Sequence, residues 1–391
     1  MAEPATSPDR HPDACLVHSD ALCRYDFGPR HPMGPGRVRN AIALARALGV
    51  LDRLQVVAPS ALDEALLRTV HTADYIAAVK AQVPDPFHGI GTSDNPLVPG
   101  MHEIAGLVCM ASVDAARLVW SGAAGHAANI SGGLHHAQPS STSGFCVYND
   151  AAIAINWLLA NGCRRVAYVD TDVHHGDGVQ SVFYNDPRVL TISLHESPNW
   201  LFPGTGFASE TGGPHAVGTS VNVALPTSTD DRGWLRAFHA VVPDAVRAFE
   251  PQILLTQHGC DTHRTDPLAD LMLTFDGQRA ACLALSALAD EVCDGRWVST
   301  GGGGYSVIEA VPRAWTHLLG VVSGHPVEPD TVVPESWREV RGPDAPTTMT
   351  DGADVDYAPY TAGWDPDDRL DQAIHETRMA IFPELGLDPY P

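Results

Sequence analysis

A stretch near the middle of the chain, residues 168–177, concentrates side chains that can bind a metal or move a proton. The apolar run Val166–Val169 passes directly into three acids and two histidines: Asp170, Asp172, Asp177, His174 and His175. Such a run is typical of a buried parallel strand, and ligand sites form beyond the carboxyl ends of these strands. If the extended geometry continues, Asp170, Asp172 and His174 share one face. The stretch predicts a functional pocket; the alternative is a helix N-cap at Asp177 with solvated loop acids.

Three other predicted strands also run into polar or glycine-rich segments. These segments contain His135 and His136, then Asp261, and finally Tyr305 behind four glycines. Each feature alone has a simpler explanation: a surface histidine pair, a helix N-cap, and a flexible or phosphate-binding loop. The glycines lack the spacing of a Walker loop, since no Gly-x-x-x-x-Gly-Lys occurs. Their combination at successive strand ends is much more specific for an α/β enzyme.

The combination contains the parts of a water-activating metal site. Such a site needs about three protein ligands and an open position, and Asp172, His174 and Asp261 could supply the ligands. A tyrosine hydroxyl such as that of Tyr305 could polarise a carbonyl opposite the metal. The glycines before it would permit a tight turn and close backbone approach.

Two histidines could serve the proton transfers that hydrolysis requires. A base must take a proton from water, and an acid must protonate the leaving group. His135 and His136 can fill these roles if separate carboxylates tune them. Asp170 and Asp177 are the candidate partners.

The arrangement of predicted elements indicates a doubly wound parallel α/β sheet. Strands are predicted at residues 15–17, 56–57, 127–130, 166–169, 189–195, 253–257 and 297–300, and helices at 37–48, 74–81, 101–121, 151–160, 234–249, 280–292 and 311–319. No domain boundary is indicated before about residue 322. Residues 1–13 are predicted to be a disordered leader. Residues 324–391, rich in Pro and Asp, are predicted to be an extension packed on the domain, with one helix over 373–382.

The composition limits the possible partners. Lys and Arg number 24 against 47 Asp and Glu, giving a formal net charge of -23. This acidity disfavours nucleic acid and anionic lipid and would attract cationic substrates, although it could equally serve only solubility. The eight cysteines are scattered without a C-x-x-C pair, which suits a reducing cytoplasm. Neither a membrane span nor a signal peptide is indicated, and nothing in the sequence indicates an oligomeric state.

The motifs carrying these residues resemble those of the zinc-dependent histone deacetylase family. They are Gly132–Ala137, Ser143–Asp150, Asp170–Gly178, Phe202–Gly206, Asp261–Leu268 and Gly301–Tyr305. The opening His31-Pro32-Met33, residues 91–101 and much of the tail resemble its bacterial acetoin-utilisation branch. The resemblance covers nearly the whole chain. It implies an arginase-like single domain with an eight-stranded parallel sheet flanked by helices.

The resemblance also implies roles for individual residues. It assigns zinc to Asp172, His174 and Asp261, although such a ligand set also accepts iron(II). It makes His135 and His136 the base and acid pair, with Asp170 and Asp177 as their partners, and leaves open which histidine moves more protons. Tyr305 would hydrogen-bond the amide carbonyl. A structural potassium ion would be bound by Asp170, Asp172, His174, Ser193 and Leu194.

Further residues are implied to contact substrate. Phe145 and Phe202 would line a narrow channel for the acyl-lysine stem, with Gly144 at its wall. Asp94 would hold the substrate backbone at the rim. One departure from the family pattern is His258, which stands near Asp261 where an apolar residue is commoner and is interpreted as a core histidine.

The leading functional hypothesis is a zinc-dependent amidohydrolase that releases acetate from N6-acetyl-lysine in proteins. A second hypothesis keeps the chemistry but makes acetylpolyamines or another small cationic acetylamine the substrate. A third, from a different class, is a non-catalytic acyl-lysine binding protein. That third hypothesis predicts a missing base, ligand or tyrosine, and none is missing from the sequence.

Overall fold

Eight parallel strands form one continuous sheet in the computed structural model, which describes residues 14–390. The strands are β1 (Ala14–Val17), β2 (Gln55–Val57), β3 (His126–Asn129), β4 (Val166–Asp170), β5 (Val189–Glu196), β6 (Ser220–Leu225), β7 (Ile253–Gln257) and β8 (Trp297–Thr300). Their spatial order is β2-β1-β3-β8-β7-β4-β5-β6. The leader predicted for residues 1–13 lies outside the described residues.

Helices cover both faces of the sheet. They are α1 (Gly36–Ala47), α2 (Glu64–Leu67), α3 (Ala73–Ala81), α4 (Met101–Trp120), α5 (Asp150–Ala160), α6 (Asp177–Phe183), α7 (Asp231–Phe249), α8 (Phe275–Val292), α9 (Ala310–Val322), α10 (Glu335–Arg341) and α11 (Arg369–Ile381). Helices α2 to α6 pack on one face, and α1 with α7 to α11 pack on the other. Covering both faces buries central strands such as β4 and β7 completely, so their sequences are largely apolar instead of alternating.

Strand β4 shows how one sequence supplies both cores. Ala167 and Val169 point into the core formed with α7 and α8, whereas Val166 and Tyr168 point into the core formed with α4 and α5. This is the two-residue alternation of an extended chain. Every residue of β4 is buried. The strand is therefore rigidly held up to Asp170, where the chemically active stretch begins.

The four strands that precede the candidate site residues are neighbours in the sheet. The order β3-β8-β7-β4 places their carboxyl ends side by side. His135 follows β3, Tyr305 follows β8, Asp261 follows β7, and Asp172 follows β4. Because the strands are parallel, all four segments emerge at the same edge, where α/β enzymes form their sites.

The predicted doubly wound parallel sheet is confirmed, and every predicted strand is present. Four elements were not predicted: the strand β6 and the short helices α2, α6 and α10. Strand β6 alternates core residues such as Val221 and Val223 with buried polar ones such as Asn222, so it lacks a continuous apolar run. It also follows a glycine-rich loop, which obscures where the strand begins in the sequence. Helix α6 has only seven residues and begins inside the polar stretch. Gly176, not Asp177, is its N-cap, so the capping alternative for Asp177 is wrong.

The C-terminal segment lies against the sheet's β6 edge and helix α7. Arg236 of α7 forms an ion pair with Asp371 of α11, with Nε and Oδ1 2.7 Å apart. Thr377 of α11 donates a hydrogen bond to the carbonyl of Asn222 in β6, at 2.6 Å. Arg378 is buried and donates to the carbonyl of Ala240, at 2.5 Å. The predicted tail helix is present and begins earlier, at Arg369, because Asp368 caps it.

All eight cysteines are free thiols, as their scattered positions predict, and all eight are buried. Within residues 14–390, no helix has both the length and the apolar character needed to cross a membrane.

Buried neutral histidines should make stability fall in mild acid. His71 donates from Nδ1 to the Gln138 carbonyl, at 3.1 Å, and accepts at Nε2 from the Asn149 amide, at 2.9 Å. Burial lowers its pKa to about 4. The unfolded chain, with a pKa near 6.5, binds the proton first, so the stabilisation is complete above pH 6.5 and is lost as pH falls towards 4.

We expect the unfolding midpoint of the protein to decline between pH 6.5 and pH 4, with His71 contributing on the order of 3 kcal/mol at the lower limit. Urea unfolding monitored by circular dichroism at a series of pH values tests this. The variant His71→Asn removes one titrating group and should show a shallower decline. Equal slopes for the two proteins would contradict the assignment.

Candidate active site

Asp172, His174 and Asp261 form a compact buried cluster. One ligand atom from each residue lies within 4.8 Å of the others. The imidazole Nδ1 of His174 is 3.1 Å from Oδ1 of Asp172 and 3.2 Å from Oδ2 of Asp261. Burial and the nearby Asp172 raise the pKa of Asp261 to about 7. Two buried carboxylates this close repel each other unless a cation lies between them.

The remaining carboxylate oxygens of this cluster are held by fixed donors. Asp172 Oδ2 accepts from the side-chain amide of Gln257 and from the backbone amide of Gly303, both at 2.7 Å. Asp261 Oδ1 accepts from the Val173 amide at 3.0 Å. These bonds orient the other oxygens towards His174 and hold the carboxylates in one position.

Two glycines allow the backbone to approach these carboxylates closely. A Cβ atom on Gly303 would overlap Asp261 Oδ2, and one on Gly259 would overlap Asp172 Oδ2. The close backbone approach predicted for the glycine run is present. Any side chain at either position would displace a carboxylate of the cluster.

His135 lies beside the cluster and is bound to Asp170. Its Nδ1 is 2.7 Å from Asp170 Oδ2, which also accepts from the Tyr168 hydroxyl at 2.6 Å. Burial alone would lower the pKa of His135, but Asp170 and Asp172 outweigh it and raise the pKa to about 9. Its Nε2 is 3.9 Å from Asp172 Oδ1. The two carboxylates therefore favour the charged imidazolium form of His135.

His136 forms a second histidine–carboxylate pair. Its Nδ1 is 2.6 Å from Asp177 Oδ1, and Gln138 donates to the other oxygen of Asp177 at 2.8 Å. Burial and the adjacent charge of His135 lower the pKa of His136. The Nε2 atoms of the two histidines are 3.0 Å apart. Because each Nδ1 donates to its own carboxylate, the two Nε2 atoms can share one proton.

The helix that follows these histidines holds their loop in place. Asp150, the first residue of α5, accepts from the amides of Gly133 and Leu134, the latter at 2.7 Å. Asn149 caps α5 and donates to the carbonyl of His135 at 3.3 Å. Both residues are completely buried. Both belong to the motif Ser143–Asp150, but the sequence indicates no role for either residue.

The polar stretch does not continue as a strand, contrary to the expected extended geometry. Strand β4 ends at Asp170, and the chain then bends through Asp172 and His174. As a result Asp170 faces His135, whereas Asp172 and His174 face Asp261.

His175 turns away from the cluster and binds Thr205 Oγ1 through Nδ1, at 2.8 Å. Its Nε2 is 3.2 Å from Gln180 Oε1, and burial lowers its pKa to about 4. A neutral imidazole with a hydrogen-bond partner at each nitrogen indicates a structural role for His175.

Tyr305 is fixed by the residues around it. Its backbone amide donates to Asp266 Oδ2 at 2.6 Å, and its ring meets the Phe145 ring edge-on, with centroids 5.7 Å apart. Burial raises the pKa of Tyr305 well above its usual value, so the hydroxyl stays protonated. The guanidinium of Arg37 lies 5.1 Å from the ring centroid.

Arg37 is a site residue that sequence reasoning missed. It is buried, and its guanidinium donates to the carbonyls of Gly302 and Gly304, the latter at 2.6 Å. It thereby holds the glycine run that leads to Tyr305. Arg37 lies 268 positions before Tyr305, and no local pattern signals such a contact.

A narrow cleft lined by His136, Gly144 and Tyr305 reaches the cluster. Phe202 stands at its side, with its ring centroid 5.0 Å from that of His136. Gly144 adopts a positive φ of 49°, and a Cβ there would overlap the His136 ring. Phe145 follows with a φ of 67°. Gly144, Phe145 and Phe202 therefore lie together beside the cleft.

Asp94 lies in the exposed loop between α3 and α4 and connects to the cleft through His31. The carbonyl of Asp94 is 3.2 Å from Nε2 of His31, whose ring meets that of Phe145 edge-on at 4.6 Å. Asn95 donates to the Asp94 carboxylate at 3.0 Å. The carboxylate is thus fixed near the rim, on the side of Phe145.

Ser193 and Leu194 belong to β5, next to the polar stretch. The register of the sheet pairs Ser193 with Asp170 of β4. His258 lies in the core, with Nε2 2.7 Å from Thr256 Oγ1 and Nδ1 3.5 Å from Cys282 Sγ. Burial lowers the pKa of His258 to about 3, which agrees with its interpretation as a core histidine.

Comparison with known proteins agrees with this fold. Residues 31–322 match the family model described as "Histone deacetylase domain". The chain is 37% identical over 383 residues to the acetoin utilization protein AcuC of Bacillus subtilis (strain 168), covering 95% of this chain and 98% of that protein. It is 32% identical over 341 residues to the protein of the same name from Staphylococcus xylosus, covering 85% and 88% of the two chains.

Solved structures give the same result. The crystal structure of an HDAC homolog from Aquifex aeolicus has a TM-score of 0.82 and 28% sequence identity, covering 93% of this chain and 99% of that one. An HDAC homolog complexed with SAHA gives a TM-score of 0.81. The chain belongs to the histone deacetylase family. It is a deacetylase, a metal-dependent hydrolase similar to the AcuC proteins.

Proposed function

We propose that this deacetylase is a zinc-dependent amidohydrolase that removes the acetyl group from N6-acetyl-lysine in proteins and releases acetate. One observation carries the proposal. Two histidine–carboxylate pairs stand beside a buried Asp/His/Asp cluster, at the end of a narrow cleft flanked by aromatic rings. A lysine side chain is long and thin enough to carry an acetyl group down such a cleft.

The donor set suits a divalent cation. Asp172 and Asp261 are completely buried, and within residues 14–390 neither forms an ion pair with Lys or Arg. Burying two carboxylates without a cation would cost several kcal/mol. Two oxygen ligands and one imidazole match zinc with an open position, and iron(II) also accepts this set. When bound, the ion supplies Lewis-acid polarisation of the acetyl carbonyl and of the attacking water.

The histidine pair performs the proton transfers. One imidazole Nε2 takes a proton from water, and one returns a proton to the departing amine. Asp170 and Asp177 accept from the Nδ1 atoms and keep each Nε2 directed into the cleft. The different pKa directions of His135 and His136 give one charged and one neutral ring at neutral pH. Either histidine can be the principal base.

The tyrosine and the cleft walls complete the assignment. The Tyr305 hydroxyl donates to the carbonyl oxygen as negative charge develops there. Phe145 and Phe202 enclose the apolar stem of the substrate, and Gly144 leaves room between them. These walls exclude water, which strengthens the hydrogen bond that Tyr305 donates.

Several further assignments accompany this proposal. A structural potassium ion is placed at Asp170, Asp172, His174, Ser193 and Leu194, supported by the pairing of β4 with β5. The catalytic domain is assigned to residues 14–323 and the packed extension to residues 324–391. The buried free cysteines support a cytoplasmic location.

The second candidate is deacetylation of a small cationic acetylamine such as an acetylpolyamine. The net charge of -23 favours cationic substrates of either size. The chemistry at the cluster is the same in both cases, so the residues around the rim must discriminate between them.

The test compares acetyl-lysine peptides with acetylputrescine, using enzyme loaded with zinc or with iron(II). We expect higher kcat/KM for the peptides and release of acetate. Faster turnover of acetylputrescine would favour the second candidate. Failure of the zinc- and iron-loaded enzyme on every peptide would refute the leading proposal.

Asp94 should matter for peptides and little for small amides. Its carboxylate can accept hydrogen bonds from backbone amides of a substrate peptide at the rim. Replacing Asp94 with alanine is expected to lower peptide kcat/KM by about ten- to a hundredfold, the loss of one or two hydrogen bonds to a charged group. Turnover of a small acetamide should change less than about threefold.

The matched control is Asp85→Ala, in the same long loop but capping a short helical turn through Phe87. It should leave the peptide preference intact. Equal losses on peptide and small amide in Asp94→Ala would show that Asp94 only maintains the fold of the loop.

A further inference from the structure

A surface groove lies between α11 and the loop that continues from the cleft wall. This feature, here called the α11 groove, has a volume of about 530 Å³. Phe207 and Ser209 of the loop form one side, and His375, Glu376 and Met379 of α11 form the other. Phe207 and Met379 are each 41% exposed, an unusual exposure for two large apolar side chains facing one cavity.

The groove is connected to the mouth of the cleft by a short piece of chain. Phe202 contacts the active-site histidines, and Phe207 forms the groove. About five residues of extended chain span at most about 18 Å. A substrate peptide whose acetyl-lysine occupies the cleft would therefore reach the groove with a residue about five positions away.

Both walls of the groove are held firmly. On the loop, Thr205 binds His175, the Gly206 carbonyl is 2.9 Å from His195 Nε2, and Glu210 accepts from the Phe207 amide at 3.0 Å. Because the loop is already ordered, a ligand would not have to order it on binding.

On α11, the ring of His375 stacks on Trp364 with centroids 4.3 Å apart. Its Nδ1 is 3.3 Å from the hydroxyl of Tyr360. Trp364 and Tyr360, which precede α11 in the C-terminal segment, therefore support the α11 side of the groove.

The segments that form the groove contain few cationic residues, which favours a basic ligand. The sequence contains no Lys or Arg between Arg188 and Arg232. From residue 342 to the end it contains only Arg369 and Arg378, and Arg378 is buried against backbone carbonyls. Arg369 precedes Glu376 by two helical turns, about 10 Å. The apolar surface is therefore bordered by Glu376 with no nearby exposed cation on its own helix.

We propose that the α11 groove is a second binding site for the acetylated substrate protein, and that it takes a basic, apolar segment about five residues from the acetyl-lysine. The inference rests on the proposed protein-lysine deacetylase function. It adds that part of the preference for proteins over small amides arises outside the cleft. A Lys or Arg of the substrate meets Glu376, and an apolar side chain lies between Phe207 and Met379.

The test compares two substrates. One is a long peptide with about six residues on each side of acetyl-lysine and with Arg and Leu at the fifth and sixth positions on each side. The other is an acetyl-lysine tripeptide. The variant is Glu376→Lys/Met379→Ser. We expect the ratio of long-peptide to tripeptide kcat/KM to fall about tenfold, mainly through KM, because a partly exposed ion pair and an apolar contact are lost. Added salt should reduce the difference.

The control is Glu339→Lys, which makes the same charge change on α10, a helix that packs against α1. It should leave the ratio at the wild-type value. An unchanged ratio in the groove variant, or an equal fall in both variants, would overturn the inference while the proposed function stands. Wild-type enzyme inactive on both peptides would overturn both. Light scattering that shows a dimer broken by the groove variant, with the ratio unchanged, would assign the groove to self-association instead.

Discussion

Replacing Asp261 with asparagine is expected to remove the metal and nearly all deacetylase activity. The carbonyl oxygen of the new side chain can still accept from the Val173 amide, so the NH₂ group would take the place of Oδ2, the oxygen that faces His174. An NH₂ group cannot serve as a ligand. Loss of a partner outside the ligand set typically costs about 10–100-fold in metal affinity, and a lost ligand costs more. We therefore expect kcat/KM below about 1% of wild type.

Metal content and thermal unfolding distinguish this effect from misfolding. Wild-type protein should lose several degrees of unfolding temperature when a chelator removes the metal, because binding stabilises the folded state. Asp261→Asn should show little chelator response. Its metal-free form should be at least as stable as metal-free wild type, because the substitution removes one of two adjacent buried carboxylates.

Asp231→Asn provides the matched control for Asp261→Asn. Asp231 is also buried, and it accepts from the amide and hydroxyl of Thr274, at 2.8 and 2.7 Å. This variant should lose stability but keep its metal. If Asp261→Asn retained full metal occupancy by elemental analysis, Asp261 could not be a ligand.

Replacing Tyr305 with phenylalanine should lower kcat by about 10²–10³-fold, the usual effect of losing one donor to a developing oxyanion. The ring should stay in place, because Phe145 packs against its edge and Arg37 lies over its face. The variant therefore removes one hydroxyl and little else. KM should change less than kcat, since the hydrogen bond strengthens only as charge develops.

Tyr357→Phe is the control for the tyrosine substitution. Tyr357 stacks on His239 with ring centroids 5.0 Å apart, in the C-terminal segment, and takes no part in the cleft. It should leave both kinetic constants near their wild-type values. A Tyr305→Phe variant with wild-type kcat and full metal content would exclude the role assigned to the hydroxyl.

The positions of the candidate residues at strand ends show why the site was largely predictable. Three acids and two histidines between Asp170 and Asp177 directly follow a buried strand, which is rare for an ordinary solvated loop. The other candidate residues also follow strands. Parallel sheets place such segments at a common edge. The adjacency of β3, β8, β7 and β4 was not predictable from local pattern, because 167 residues separate the end of β3 from the start of β8 in the chain.

The missed residues have a common physical reason. Arg37, Gln257 and Asp150 act by donating or accepting hydrogen bonds across the interior. The bonds of Arg37 and Gln257 join residues 267 and 85 positions apart, and the bond of Asp150 joins residues 16 positions apart, in different motifs. Local sequence carries the periodicity of a strand or the cap of a helix, but it carries no record of these long-range partners. The error in the polar stretch is related: the bend after Asp170 is imposed by contacts with β7 and the glycine run.

The sequence by itself determined the chemistry: which side chains can bind a metal, which can move protons, and the buried strands that deliver them. It could do so because residue type and two-residue or helical periodicity are local properties. The residues and the family resemblance already implied which side chains form each set, but only the tertiary structure decided which atoms meet. It directed Asp170 to His135 and Asp177 to His136, and gathered Asp172, His174 and Asp261 around one point. These choices depend on strand order and on buried hydrogen bonds between distant segments, which form only when the whole sheet is assembled.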